Sequence, residues 1–120
     1  MEDVVTARGL SFFSFYSLAN GFLSGKYRST DDLGKSVRGG RNSDYVESVR
    51  GNAVLAALDE VAADTGAALA TVALAWTKAQ PGITAPIASA TSTAQAEELI
   101  AALTLELSPG QIELLDRASE

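Results

Sequence analysis

Apolar residues along this chain gather in two short, dense runs, and elsewhere recur three and four positions apart. The first run opens the stretch Leu10 to Tyr27, LSFFSFYSLANGFLSGKY. Leu10, Phe12, Phe13, Phe15 and Leu18 are too dense for a half-exposed strand and too few for a typical helix, which predicts a buried parallel strand. The second run is ITAPI, residues 83–87, read as another buried strand. Pro86 belongs at or near its end, because proline cannot donate to a central ladder.

The helical spacing lies between and after these runs. Residues 1–9 read as the end of a helix, stopped by Arg8-Gly9. Residues 28–42 are polar and rich in glycine, and predict a long loop of the kind that acts as a lid or binding segment. Asp44 with Glu47 predicts a capped helix start, followed by a face of Val54, Leu58 and Val61 flanked by Leu55 and Ala62, with Thr65-Gly66 as the stop. Leu69, Val72, Ala73 and Trp76 place the single tryptophan in the core, and Pro81-Gly82 closes that helix. Ser92-x-x-Gln95 predicts a capping box ahead of Ala96, Leu99, Ile100 and Leu103. Ser108-Pro109-x-Gln111 does the same for a last helix carrying Ile112 and Leu115. The order is strand, loop, two helices, strand, two helices: an α/β chain with two parallel strands and about four helices. Two parallel strands cannot be covered on both faces or close their edges, so the pattern predicts part of a larger fold.

Composition narrows the chemistry. A chain of 120 residues with 47% hydrophobic content forms one domain with an ample core. No apolar run approaches the roughly 20 residues that span a bilayer, and Met1-Glu2-Asp3 lacks the basic start of a signal peptide, so a cytoplasmic location is expected, with no membrane partner. The absence of Cys and His removes disulfides, thiolates, imidazole bases and their metal sites. The net charge of −6 is uneven. Residues 1–50 hold seven basic and six acidic side chains, a balance of +1, whereas residues 51–120 hold two and nine, a balance of −7. The acidic half reads as solvated helix faces. Without a continuous basic stripe, nucleic acid is not an expected partner.

Candidate chemistry sits just past the carboxyl ends of the strands, where parallel α/β proteins build their sites. After the first strand, Ser17, Asn20, Gly21, Ser24, Gly25 and Lys26 offer amides, hydroxyls and a cation to an anionic ligand. The spacing Gly21-x-x-x-Gly25-Lys26-Tyr27 is not a P-loop, which needs four residues between its glycines and Ser or Thr after the lysine. After the second strand, Ala88-Ser89-Ala90-Thr91-Ser92 offers small residues and free amides at a helix N-terminus, although plain capping by Ser92 accounts for the same residues. Phe15 and Tyr16 read as core aromatics or as rings that stack on a flat heterocycle. No pair of carboxylates suggests acid/base work, and Asp31-Asp32 reads as solvated.

Three segments together resemble the C-terminal portion of the aldo/keto reductase family: RGLSFFSFYSLANGFLSGKYR, then VLAALDEVAADTGAALATVALAWTKAQPGITAPIASATSTAQAEELIAAL, then LSPGQIELLD. The resemblance runs from about Val4 to Ser119. It implies the last two units of a (β/α)8 TIM barrel that reduces aldehydes and ketones with NADPH, so that residues 1–120 would be the C-terminal part of an NADP-dependent oxidoreductase domain. Carried over by position, it implies that Phe15, with Tyr16 as the neighbouring alternative, stacks on the nicotinamide. Tyr16, Ser17, Leu18, Ala19 and Asn20 then follow the pyrophosphate, Lys26 and Arg41 approach the phosphates, and Ser89, Thr91, Gln95 and Glu98 meet the adenosine end. Thr91 stands where many members have Arg, and Leu99 where the family often has Asn. The resemblance therefore allows NAD(H) as well as NADP(H), since Thr cannot make the bidentate phosphate contact of Arg. The family's catalytic Asp, Tyr, Lys and usual His have no counterpart here. The chain is accordingly expected to hold much of the surface that grips a nicotinamide dinucleotide and, in isolation, to be catalytically inactive, with no catalytic or metal residue to assign. Other readings are a non-catalytic nucleotide-binding or interaction module, covered by self-association, and a half completed by a separate N-terminal half.

Overall fold

Gly9, at φ +60°, ends the short helix α1 (Glu2–Ala7) and turns the chain toward β1 (Phe13–Ser14). The computed structural model describes residues 1–120. β1 pairs in parallel with β2 (Ala85–Pro86), Phe13 opposite Ala85 and Ser14 opposite Pro86. The ladder is short but well made. The Thr84 amide donates to the Phe12 carbonyl at 2.8 Å, and the Ile87 amide to the Ser14 carbonyl at 2.7 Å. Pro86 is the last residue of its strand, as its missing N–H requires.

The expected burial of this sheet is not found. Phe13 is 54% exposed and Phe15 80% exposed, with Leu10 and Ile87 also exposed. Strand side chains project from the faces of a sheet, and no other element covers the face that carries Phe13 and Phe15, so these aromatics meet solvent. Tyr16 then adopts φ +66°, which ends the extended backbone ahead of Leu18, a half-buried residue that packs against the core.

The core is helical instead. α3 (Val49–Thr65) buries Val54, Leu55, Ala57, Leu58 and Val61, close to the face its spacing predicts, and Gly66 ends it in the left-handed conformation. Against it lies α4 (Leu69–Ala79), whose residues Ala70 to Ala75 are all buried, so this helix is covered nearly all round rather than along one stripe. Trp76 packs against the core only partly buried, and its indole N–H donates to Asp116 Oδ1 at 2.7 Å. α6 (Pro109–Ser119) closes the layer with the fully buried Leu115. Its Ser108/Gln111 capping box is complete.

Three expectations are corrected in detail. Asp44 does not cap a helix: α2 (Ser43–Glu47) begins one residue earlier with no side-chain cap, the chain breaks at Ser48, and Ser48 Oγ accepts the Gly51 amide to open α3. α5 (Thr93–Ala101) carries only half of its expected box, because Gln95 Oε1 accepts from the Thr91 amide and not from Ser92. Its apolar face is also turned: Ala96 and Leu99 are half-buried, whereas Ile100 and Leu103 are exposed. The helix is held by polar bonds, from Thr71 Oγ1 to the Glu98 carbonyl at 2.7 Å and from Lys78 Nζ to the Ala102 and Leu103 carbonyls, which draw Ala102 inward. No helix is long and apolar enough to cross a membrane.

Residues 28–42 are not an unstructured loop. Ser29 and Asp32 form a capping box that opens a 3₁₀ segment at Thr30–Lys35, and a second 3₁₀ segment spans Gly39–Asn42. The Tyr27 hydroxyl bonds Ser36, and Asn42 is fully buried, so polar anchors supply the order that apolar residues do not. Arg28 grips Asp59 of α3 through two bonds of 2.7 and 2.8 Å. Hydrogen bonding to Arg28 lowers the Asp59 pKa against a smaller opposing effect of burial. A lowered folded-state pKa gives stability that is complete above the unfolded value, about 3.9, and is lost as pH falls through the folded value. Urea midpoints at pH 6 and pH 3 should therefore differ less in Asp59→Asn than in the wild type. Both side chains are more than a third exposed, so the loss at neutral pH should stay below about 1 kcal/mol. An unchanged pH dependence in the variant would contradict this assignment.

Candidate functional site

The chain leaves β1 through an unusual backbone. Tyr16, Ala19 and Asn20 take φ of +66°, +47° and +55°, and Gly21 takes +91°. Three L-residues in a sparsely populated region within five positions is stored strain of the kind that gathers at ligand sites. It is held locally: Ser17 Oγ donates to the Ser14 carbonyl at 3.0 Å, Asn20 Nδ2 bonds the Tyr16 hydroxyl, and Ser24 Oγ donates to the Gly21 carbonyl at 2.6 Å. The outcome is a 3₁₀ segment, Ala19–Ser24, kinked at Asn20-Gly21, that folds back past the ends of the strands.

Between this segment and the loop after β2 lies an open cleft of about 730 Å³. Tyr16, Ser17, Leu18 and Asn20 form one wall. Ile87, Ala88 and Ser89, followed by Thr91, Gln95, Glu98 and Leu99, form the facing wall. Ala70 of α4 and Tyr27 also line it, and Ser36, Val37 and Arg38 reach in from the polar segment. Its volume falls in the roughly 300–1,000 Å³ range of cofactor sites.

The charges in the cleft are arranged unevenly. Lys26 and Arg38 line it without an ion-pair partner, whereas Arg28 and Lys35 nearby are tied to Asp59 and Asp32. Lys26 Nζ lies 5.6 Å from the centroid of the Tyr27 ring, over its face. Glu98 is the one carboxylate in the lining. The amides of Ser89 and Ala90 have no backbone partner, but the Thr91 amide is already bonded to Gln95, so the turn offers fewer free donors than its sequence suggests. Two unpaired cations, unpaired amides and hydroxyls together suit an anion with polar appendages.

Among the residues singled out from the sequence, Tyr16, Ser17, Leu18, Asn20, Lys26, Ser89, Thr91, Gln95 and Glu98 are brought together here. Three are not. Phe15 stands outside the lining, exposed at the end of β1, with its ring edge-on to Tyr16 at 6.3 Å between centroids. Ala19 faces the opposite side of its segment. Arg41 is exposed and outside the cleft, whereas Arg38, three residues earlier, lines it. Ser36, Val37 and Arg38 were not legible as site residues. The only local hint was Gly39-Gly40 directly after Arg38, which marks a tight return of the chain.

Asn42 connects the two sides. Its Nδ2 donates to the Asn20 carbonyl at 3.4 Å and to the Arg38 carbonyl at 3.5 Å, linking the strained wall to the segment that carries the cation. Its Oδ1 is buried without a partner.

The aldo/keto reductase family profile matches residues 1–120, the whole chain. That family generally uses nicotinamide cofactors. This chain belongs to the aldo/keto reductase family.

Proposed function

We propose that this chain is the cofactor-holding, C-terminal part of an NAD(P)H-dependent aldo/keto reductase barrel, cytoplasmic in location, and that by itself it does not reduce carbonyls. The observation that carries the reading is the convergence of both strand ends on one cleft with two unpaired cations. When bound, the nicotinamide supplies a hydride for a carbonyl carbon. The residues of this chain bind and orient. Lys26 and Arg38 neutralise the phosphates, the strained run from Tyr16 to Asn20 follows the pyrophosphate, and Ser89, Thr91, Gln95 and Glu98 receive the adenosine end. Phe15, exposed at the strand end, is free to stack on the nicotinamide. With Thr91 and the Glu98 carboxylate at the adenosine end and no arginine among the residues of that wall, both NADP(H) and NAD(H) fit. Reduction also needs a proton delivered to the carbonyl oxygen, and no residue of the cleft is assigned that task.

The test is the thermal unfolding of the chain, followed by the near-UV signal of Trp76, with and without NADPH. At about 100 times the dissociation constant, a ligand specific for the native state adds ~2.7 kcal/mol. Lys26→Ala with Arg38→Ala should weaken binding by about tenfold or more, because each removes a charge-assisted contact to phosphate. A midpoint unmoved by saturating NADPH and NADH would end the reading. The exposed Phe13 and the two open strand edges favour a second arrangement, in which another copy or a separate N-terminal half covers the sheet. Reductase activity that arises only on mixing with such a half would identify it.

A further inference from the structure

Behind the kinked segment lies a second cavity, of about 410 Å³. Ala19, Phe22 and Leu23 line it, whereas Leu18, Asn20, Gly21 and Ser24 face the cleft, so the two spaces share no residue. Its walls are aromatic. Phe22 and Tyr45 stack with centroids 5.2 Å apart and planes 26° off parallel, and Trp76 adds an indole whose N–H is already taken by Asp116. Phe22 is almost fully buried and Trp76 half-buried, so the floor is fixed by the core. Two exposed charges of opposite sign also belong to the lining, Asp44 of α2 and Arg50 of α3. They do not pair with each other or with any other ionised side chain, and Arg50 has only a long bond of 3.4 Å to the Ser119 carbonyl.

We propose that this cavity binds a free aromatic amino acid, with its ring against the aromatic walls, its carboxylate on Arg50 and its ammonium on Asp44. The walls select a flat apolar body, which gains from stacking beyond the area it buries. The mouth selects the head group. A simple acid would satisfy Arg50 and be repelled by Asp44, and a simple amine would do the reverse. A zwitterion answers both. The volume lies within the range of small-molecule sites.

The protein contains a single tryptophan, so its indole N–H gives one resonance in a nitrogen-15 correlation spectrum and reports directly from the cavity wall. Labelled protein titrated with unlabelled L-tryptophan should shift that resonance saturably. L-tryptophanamide and N-acetyl-L-tryptophan each remove one charge, and each should bind about three- to fivefold more weakly, the size of a solvent-exposed ion pair. In Arg50→Gln, L-tryptophan and its amide should bind alike. In Asp44→Asn, L-tryptophan and its N-acetyl derivative should bind alike. Both substitutions fall on exposed positions and leave the core intact. An indole resonance unmoved by millimolar L-tryptophan, derivatives that bind as well as the parent, or discrimination that survives both substitutions would each overturn the proposal.

Discussion

Gly39→Ala is expected to destabilise the protein by more than about 3 kcal/mol and to displace Arg38 from the cleft. A Cβ built on Gly39 lies 1.7 Å from the Leu33 carbonyl oxygen and 2.6 Å from its carbon. These are backbone atoms, so no side-chain rotation relieves the overlap. Nor can the backbone retreat freely. Leu33 belongs to a 3₁₀ segment fixed at its start by the Ser29/Asp32 box, and Ser36, between the two positions, is bonded to the Tyr27 hydroxyl. The clash must therefore be relieved by moving the segment that carries Val37 and Arg38, two residues of the cleft. Gly40 supplies the control, because a Cβ there meets nothing within 4 Å, and Gly40→Ala should lie within about 0.5 kcal/mol of the wild type. Urea unfolding measures both. Equal midpoints for the two variants would mean that the approach of Gly39 to Leu33 is not a constraint in solution.

Leu58→Ala should cost about 3 to 4 kcal/mol. Leu58 is 0% exposed on α3, in the cluster that also contains Val72 of α4 and Leu115 of α6. Truncation removes the transfer free energy of the buried carbons and leaves a cavity that three packed helices cannot close, a combination that spans roughly 2–5 kcal/mol at buried leucines. The effect is large here because the core is small: 19 of 120 residues are buried. Stability for a domain of this size starts at about 5 kcal/mol, so the variant should melt far below the wild type. Ile100→Ala, at a position 63% exposed, should change stability by less than about 0.5 kcal/mol. Thermal melts of both variants decide the matter. A Leu58 variant no less stable than the Ile100 variant would mean that α3 is not the centre of the fold.

The residues of the cleft were legible where chemistry and position in the chain coincide. Small polar residues directly after each apolar run pointed to the strand ends, and Ser17, Asn20, Lys26, Ser89 and Gln95 do line one space. Arg38 was not legible, since it enters the cleft only because Gly39 packs on Leu33 and Asn42 holds the Arg38 carbonyl. Those are contacts across a turn, and no local pattern of apolar and polar residues encodes them. Phe15 shows the limit from the other side. Its aromatic, strand-like setting suggested burial, but exposure depends on which neighbours cover the sheet, and that is not written at residue 15.

By itself the sequence determined the parallel pair of short strands, the positions of α3, α4, α5 and α6, and several of their ends, through period, glycine stops and Ser-x-x-Gln starts that act within a few residues. The tertiary structure alone decided which faces of the two strands and of α5 were covered. It turned Ile100 of α5 and Leu103 just beyond it outward, because Thr71 and Lys78 of α4 hold the helix and its C-terminal end by their carbonyls. It ordered residues 28–42 through Tyr27, Asp32 and the buried Asn42. It also separated one strained segment into two faces, with a charged cleft before it and an aromatic cavity behind. The reason is physical: periodicity fixes a backbone conformation through neighbours a turn away, whereas burial and side-chain pairing are set by partners far along the chain.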